Sequence, residues 1–226
     1  MNQATKCEIF VRMLWSPLMF AAVVFLPAGT LNYWQAWLSL VVFMVPATML
    51  TVWLAKNDPA LLERRMRVGP TQEPRLAQRV IVTLLLASLA LSYIVSALDY
   101  RFGWSHVPPP VVLLGDALVV LSWWIFFLVM KTNSYAASTV RVESEQKVIS
   151  TGPYGIVRHP MYSGALILMA AIPLSLASYW GIIVAVLALP VLYFRITDEE
   201  KQLVDELPGY DEYRTRVRFR LIPGVY

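Results

Sequence analysis

Long apolar stretches separated by short polar ones dominate this chain, and six of them are predicted as helices: 13–30, 33–55, 78–98, 110–130, 161–176 and 179–194. A helix that crosses a bilayer needs roughly 20 mostly apolar residues. The first four stretches meet or approach that length. The last two are shorter, and Pro173 and the polar 175–178 stretch lie between them. By hydropathy they read equally as a tight hairpin or as one long broken helix. The pattern predicts an all-α, polytopic membrane bundle of about six spans. It forms a single membrane domain over 1–226, with N-terminal spans in 1–130 and a polar, chemically richer region in 131–226.

Composition agrees with a membrane protein. Hydrophobic residues make up 58% and charged residues 15% of the chain, against about 25% charged in an ordinary soluble domain. The single cysteine, Cys7, excludes an intramolecular disulfide. The first apolar run follows Lys6 and Arg12 in the manner of a signal peptide. No Ala-x-Ala site follows and further spans begin at once, so an uncleaved first span is expected.

Charge placement orients the bundle. Lys and Arg collect on the cytoplasmic side of membrane proteins. With a cytoplasmic N-terminus and a terminal hairpin, 18 of the 19 basic residues fall inside, leaving only Arg101 outside. A single broken helix in place of the hairpin would move the tail across and give a 12 to 7 split. The hairpin with both termini cytoplasmic is therefore expected. Trp34, Trp37, Trp104 and Trp180 fall near predicted span ends, where aromatic rings favour the interface. Between the second and third spans, Asp58-Pro59 precedes Ala60, Leu61 and Leu62, with Arg64, Arg65 and Arg67 following. Asp as cap and Pro as first residue predict a short interfacial helix. Asp116 lies inside a span, where an acid is a functional candidate. No Gly-x-x-x-Gly pair occurs to mark a helix contact.

The chemistry concentrates on either side of the hairpin. Before it stands Gly152-Pro153-Tyr154-Gly155-Ile156-Val157-Arg158-His159-Pro160-Met161-Tyr162-Ser163-Gly164; after it, Arg195-Ile196-Thr197-Asp198-Glu199-Glu200. Pro160 suits a first helical turn, which puts Arg158 and His159 at a helix N-terminus, an end that favours anions. Glu199 and Glu200 bring negative charge to the other end. Such a polarity fits a zwitterion, for instance the methionine part of S-adenosylmethionine, with Tyr154 and Tyr162 able to pack on an adenine ring or a sulfonium cation.

The constellation Arg158, His159, Pro160, Tyr162 and Gly164, a hairpin, then Glu199 and Glu200, resembles the isoprenylcysteine carboxyl methyltransferase and phospholipid methyltransferase group of membrane enzymes. Gly152-Pro153-Tyr154, Arg195 and Tyr213 also match that group's pattern, and the resemblance covers about 131–223. It implies an S-adenosylmethionine-dependent methyltransferase. The cofactor would be held by Tyr154, Arg158, His159, Pro160, Tyr162, Gly164, Glu199 and Glu200. Its catalytic residues would be Arg195, His159 and Glu199, with Arg195 orienting an acceptor carboxylate or phosphate. The acceptor would be a lipophilic small molecule or prenylated substrate arriving from the bilayer. A carboxylate acceptor needs no base; for an amine or hydroxyl, His159 or a Glu would serve. No metal site, no nucleic-acid partner and, without a Gly-x-Gly-x-x-Gly, no Rossmann-type cofactor fold is expected. A second reading is an NADPH-dependent sterol-type membrane reductase, whose motif is Arg-His-Pro-Asn-Tyr-x-Gly-Glu. Met161, Ala165 and the later Glu pair depart from it and favour methyl transfer.

Overall fold

Inside a bilayer every backbone N–H and C=O must find its partner within the protein, and the apolar stretches meet that demand as helices. The computed structural model describes residues 3–66, 69–73, 75–136 and 146–225. Those residues hold no strand. They form α1 (Gln3–Ala28), α2 (Trp34–Asn57), α3 (Pro59–Met66), α4 (Leu76–Phe102), α5 (Pro109–Thr132), α6 (Pro160–Ser175), α7 (Trp180–Leu187), α8 (Leu189–Glu206) and α9 (Tyr210–Arg216). Short 3₁₀ turns occupy Pro70–Gln72 and Gly152–Gly155. α1, α2, α4, α5 and the combined α7–α8 arm are long and apolar enough to cross a membrane. With α6 as a shorter sixth segment, the all-α bundle of about six spans is borne out. The chain is an integral, multi-pass membrane protein.

The terminal pair folds back as a hairpin. Ala177 takes a left-handed φ of 55° in the turn after α6. The start of α2 and the end of α4 hold that turn. Tyr33, fully buried, stacks on Tyr100 at 3.7 Å and donates its hydroxyl to the Leu176 carbonyl. Asp99 accepts the Ser105 N–H, the Ser105 hydroxyl and the Ser178 hydroxyl, each at 2.6 Å. The second arm is longer than hydropathy predicts. The apolar signal fades at Arg195, yet the helix continues to Glu206 because it is amphipathic there, burying Leu192, Arg195, Ile196 and Glu200 on one stripe.

α5 and α6 pack backbone to backbone without a Gly-x-x-x-Gly motif. Single glycines on opposite helices do the same work. A Cβ at Gly115 would come within 2.5 Å of the Ser175 amide nitrogen, and one at Gly164 within 2.8 Å of the Phe126 ring. Asp116, in the next position, is buried with both carboxyl oxygens lacking a hydrogen-bond partner among the described residues.

At the opposite end from the hairpin turn the polar segments converge. Asp58 caps α3 by accepting the Leu61 N–H at 2.9 Å, as its position before Pro59 predicts. Arg64 and Arg65 then reach the loop after α5, donating to the carbonyls of Ser134 and Ala136 at 2.6 and 2.8 Å. Arg67 and Arg141, both counted in the charge argument, lie outside the described residues. Trp34, Trp37, Trp104 and Trp180 gather at the hairpin-turn end, each about half exposed.

Candidate active site

The site begins with a proline. Pro160 opens α6, and His159 is the residue before it, its backbone outside the helical region. The chain's tail then lies alongside: the N–H groups of Arg158 and His159 donate to the carbonyls of Phe219 and Arg220, both at 2.9 Å. The Ser163 hydroxyl donates to the Leu221 carbonyl at 2.7 Å. Three separate pieces, the start of α6, the polar half of α8 and the tail, are thereby brought together.

Glu200 is the hub of that junction. One carboxyl oxygen accepts Arg158 Nε at 2.7 Å and lies 3.2 Å from His159 Nε2; the other accepts Arg220 Nε at 2.8 Å. Arg158 also donates through Nη1 to the carbonyls of Val217 and Arg218 at 2.9 and 2.7 Å. The guanidinium thus stitches the tail to α8. Glu199, one residue earlier, turns the other way. It accepts the Tyr162 hydroxyl at 2.5 Å and stands 3.8 Å from His159 Nδ1. The imidazole therefore sits between the two carboxylates.

A cavity of about 420 Å³ opens beside these groups, within the range of roughly 300–1,000 Å³ common for small-molecule sites. Its polar wall includes Tyr154, Arg158, His159, Tyr162, Glu199 and Arg195; its apolar wall includes Val82, Leu85 and Leu86 of α4, and Phe126 of α5. Pro160 also lines it. Tyr154 accepts an Asn133 amide N–H at 3.0 Å through its hydroxyl, and its carbonyl accepts the Tyr213 hydroxyl at 2.8 Å. Burial pushes the Tyr154 phenol up to about 12, and pushes Tyr210 and Tyr213 upward as well. All three rings are neutral at physiological pH. Of the residues singled out by sequence, Glu200 and Gly164 do not line the cavity: the first binds the two arginines and the second packs on Phe126. Arg195 lines it, but its guanidinium is engaged on the protein side, by Glu73 at 2.8 Å, by Gln78 and by the Tyr162 hydroxyl at 3.2 Å.

This stretch, residues 110–209, matches the model of the phospholipid methyltransferase family. That segment is similar to a family of membrane methyltransferases. The family segment runs from α5 through the hairpin to Glu199, Glu200 and the residues just before α9. It bears out the resemblance seen in the motif, and the chemistry of that family is methyl transfer. No curated protein matches the chain.

Several residues at the site carry no motif signal. Glu73 and Gln78, from the loop before α4 and its first turn, meet Arg195. Asp198 accepts from Arg75, at 2.5 Å, and from Gln78. All but Asp198 lie outside the family segment. One hint exists in the sequence: Gln78 is a polar residue at the start of an apolar run, and it is fully buried. Arg65, placed by the sequence on a short interfacial helix, also lines the cavity.

Proposed function

We propose that this chain is an S-adenosylmethionine-dependent methyltransferase acting on a lipophilic acceptor that reaches it from the bilayer. The observation that carries the reading is the two-sided cavity. One wall presents a carboxylate, an imidazole and neutral tyrosines at the polar end of the bundle; the other is apolar and belongs to membrane helices. A cofactor that is cationic at sulfur and amine suits the first wall. Glu199 offers an acceptor for an ammonium group, and Tyr154 and Tyr162 offer rings for a cation or an adenine. His159 and Pro160 would complete that wall. When bound, such a cofactor supplies a methyl group on a sulfonium centre.

The residues of this chain would then position and exclude water. His159, held between Glu199 and Glu200, is the group placed to take a proton from an amine or hydroxyl acceptor; a carboxylate acceptor would leave it a purely orienting role. Arg158 and Glu200 fix the tail beside the cavity. Residues 131–226 form the cofactor-binding, catalytic part of one membrane domain, and 1–130 its membrane scaffold. The polar end, which gathers the basic loops and the tail, faces the cytoplasm by the distribution of Lys and Arg. Membrane lipids are its immediate partners.

Calorimetric titration of the purified protein with S-adenosylhomocysteine and, separately, NADPH tests the reading. Binding of the first alone, lost in His159→Ala and in Glu199→Ala, is the expected result. Binding of NADPH alone would place the protein with the reductases and overturn the proposal.

A further inference from the structure

We propose that Glu73 is a positioning residue for the cavity, acting through Arg195 and Tyr162 to fix the Glu199 carboxylate; the inference rests on the methyltransferase reading above. The links are continuous and point one way. Arg195 Nη2 donates to Glu73 at 2.8 Å, and Arg195 Nε donates to the Tyr162 oxygen at 3.2 Å. A phenol has one proton, and Tyr162 gives it to Glu199 at 2.5 Å. With the guanidinium N–H occupying the phenol's acceptor side, the hydroxyl proton is directed at Glu199. Without Arg195 in that place the hydroxyl is free to rotate, and Glu199 loses a charge-assisted partner.

The pair at the start of the relay is sealed from water. The side chains of Glu73 and Arg195 are 1% and 6% exposed. Burying two charges costs more than their attraction returns unless geometry is good, and apolar replacements are often as stable. Stability alone is therefore a weak reason for an ion pair here; fixing a guanidinium against the cavity wall is a specific one. The surroundings hold it rigid. Gln78 accepts from Arg195 and donates to Asp198, and Asp198 accepts Arg75 as well. Both flanks of the loop before α4 are thus clamped to α8. A second consequence follows for the acceptor. Because Glu73 balances its charge from behind, Arg195 faces the cavity without requiring an anionic substrate.

The test uses the full-length protein in detergent, in wild-type form and as Glu73→Gln, Glu73→Asp, Tyr162→Phe and the Glu73→Gln/Tyr162→Phe pair, titrated with S-adenosylhomocysteine. Acting through Tyr162, Glu73→Gln and Tyr162→Phe should each weaken binding about tenfold, and the double variant should be no weaker than the worse single. Glu73→Asp should recover most of the affinity. Wild-type affinity in Glu73→Gln, or a double variant that loses the product of both single effects, overturns the relay. Should Glu73→Gln fail to fold, Arg195→Lys, which keeps the charge and loses the fork that reaches both Glu73 and Tyr162, is paired with Tyr162→Phe for the same additivity comparison. If the wild type takes up no S-adenosylhomocysteine, the methyltransferase reading falls, and ligand-free melting temperatures of the same variants judge the relay. Non-additive shifts keep it and additive shifts end it.

Discussion

Replacing Glu200 with Gln removes a single negative charge that Arg158, Arg220 and His159 share, and the cost is predictable from their burial. The side chains of Glu200 and Arg158 are 7% and 8% exposed, so water cannot take over the lost charge there. Arg220 is 30% exposed and is partly rescued by solvent. Breaking one side of a buried ion pair costs about 3–5 kcal/mol. Glutamine keeps one acceptor oxygen, which puts the expectation at the lower end, about 3 kcal/mol, or roughly a hundredfold at about 1.4 kcal/mol per decade. That energy adds to the backbone bonds of Arg158 and His159 in holding the tail on α6, because Glu200 orients the guanidinium that bonds the Val217 and Arg218 carbonyls. Trypsin cleavage at Arg216, Arg218 and Arg220, followed by mass spectrometry in detergent, reads the tail's release directly. Cleavage of Glu200→Gln should be about a hundredfold faster than wild type, with binding of S-adenosylhomocysteine lost in parallel. Glu212→Gln, exposed on α9, should change neither. Equal cleavage rates in wild type and Glu200→Gln would refute the argument that Glu200 is the hub.

Gly115→Ala should cost about 1–3 kcal/mol, since its methyl would press on the Ser175 backbone and not on a movable side chain; an unchanged melting temperature would show that α5 and α6 can separate freely. Stability that depends on the neutral Tyr154 phenol is fully present below its unfolded value of 10.0 and is lost as pH rises through about 12. Melting temperatures followed across that window should fall less in Tyr154→Phe than in wild type, and identical alkaline profiles would contradict the burial argument. A reporter fused at the C-terminus should read as cytoplasmic, with one inserted at Trp104 reading as external; the opposite pattern would reverse the bilayer orientation.

The bundle and the core of the site were legible in the sequence because both depend on local or short-range rules. Bilayer thickness demands runs of apolar residues, so the spans and their approximate limits follow from hydropathy alone. Asp58-Pro59 and His159-Pro160 announce helix starts through cap chemistry, and both helices begin there. The Arg158 to Gly164 motif with the Glu199–Glu200 pair marks the resemblance to membrane methyltransferases because its residue types and spacing are specific. The division of labour within that motif was not legible. Adjacent glutamates on one helix look alike in sequence, yet helical rotation sends Glu199 to the cavity and Glu200 to Arg158 and Arg220. Glu73 is far from Arg195 along the chain, and only the packing of the loop before α4 against α8 makes them a buried pair. The length of the last arm was hidden for a related reason: beyond Arg195 its apolar stripe is one-sided, and a hydropathy run cannot see a helix that continues by amphipathicity. Sequence set which segments enter the membrane and which chemistry they carry; the tertiary fold decided which charges compensate each other and which are left facing the cavity, because charge pairing is a matter of distance in space.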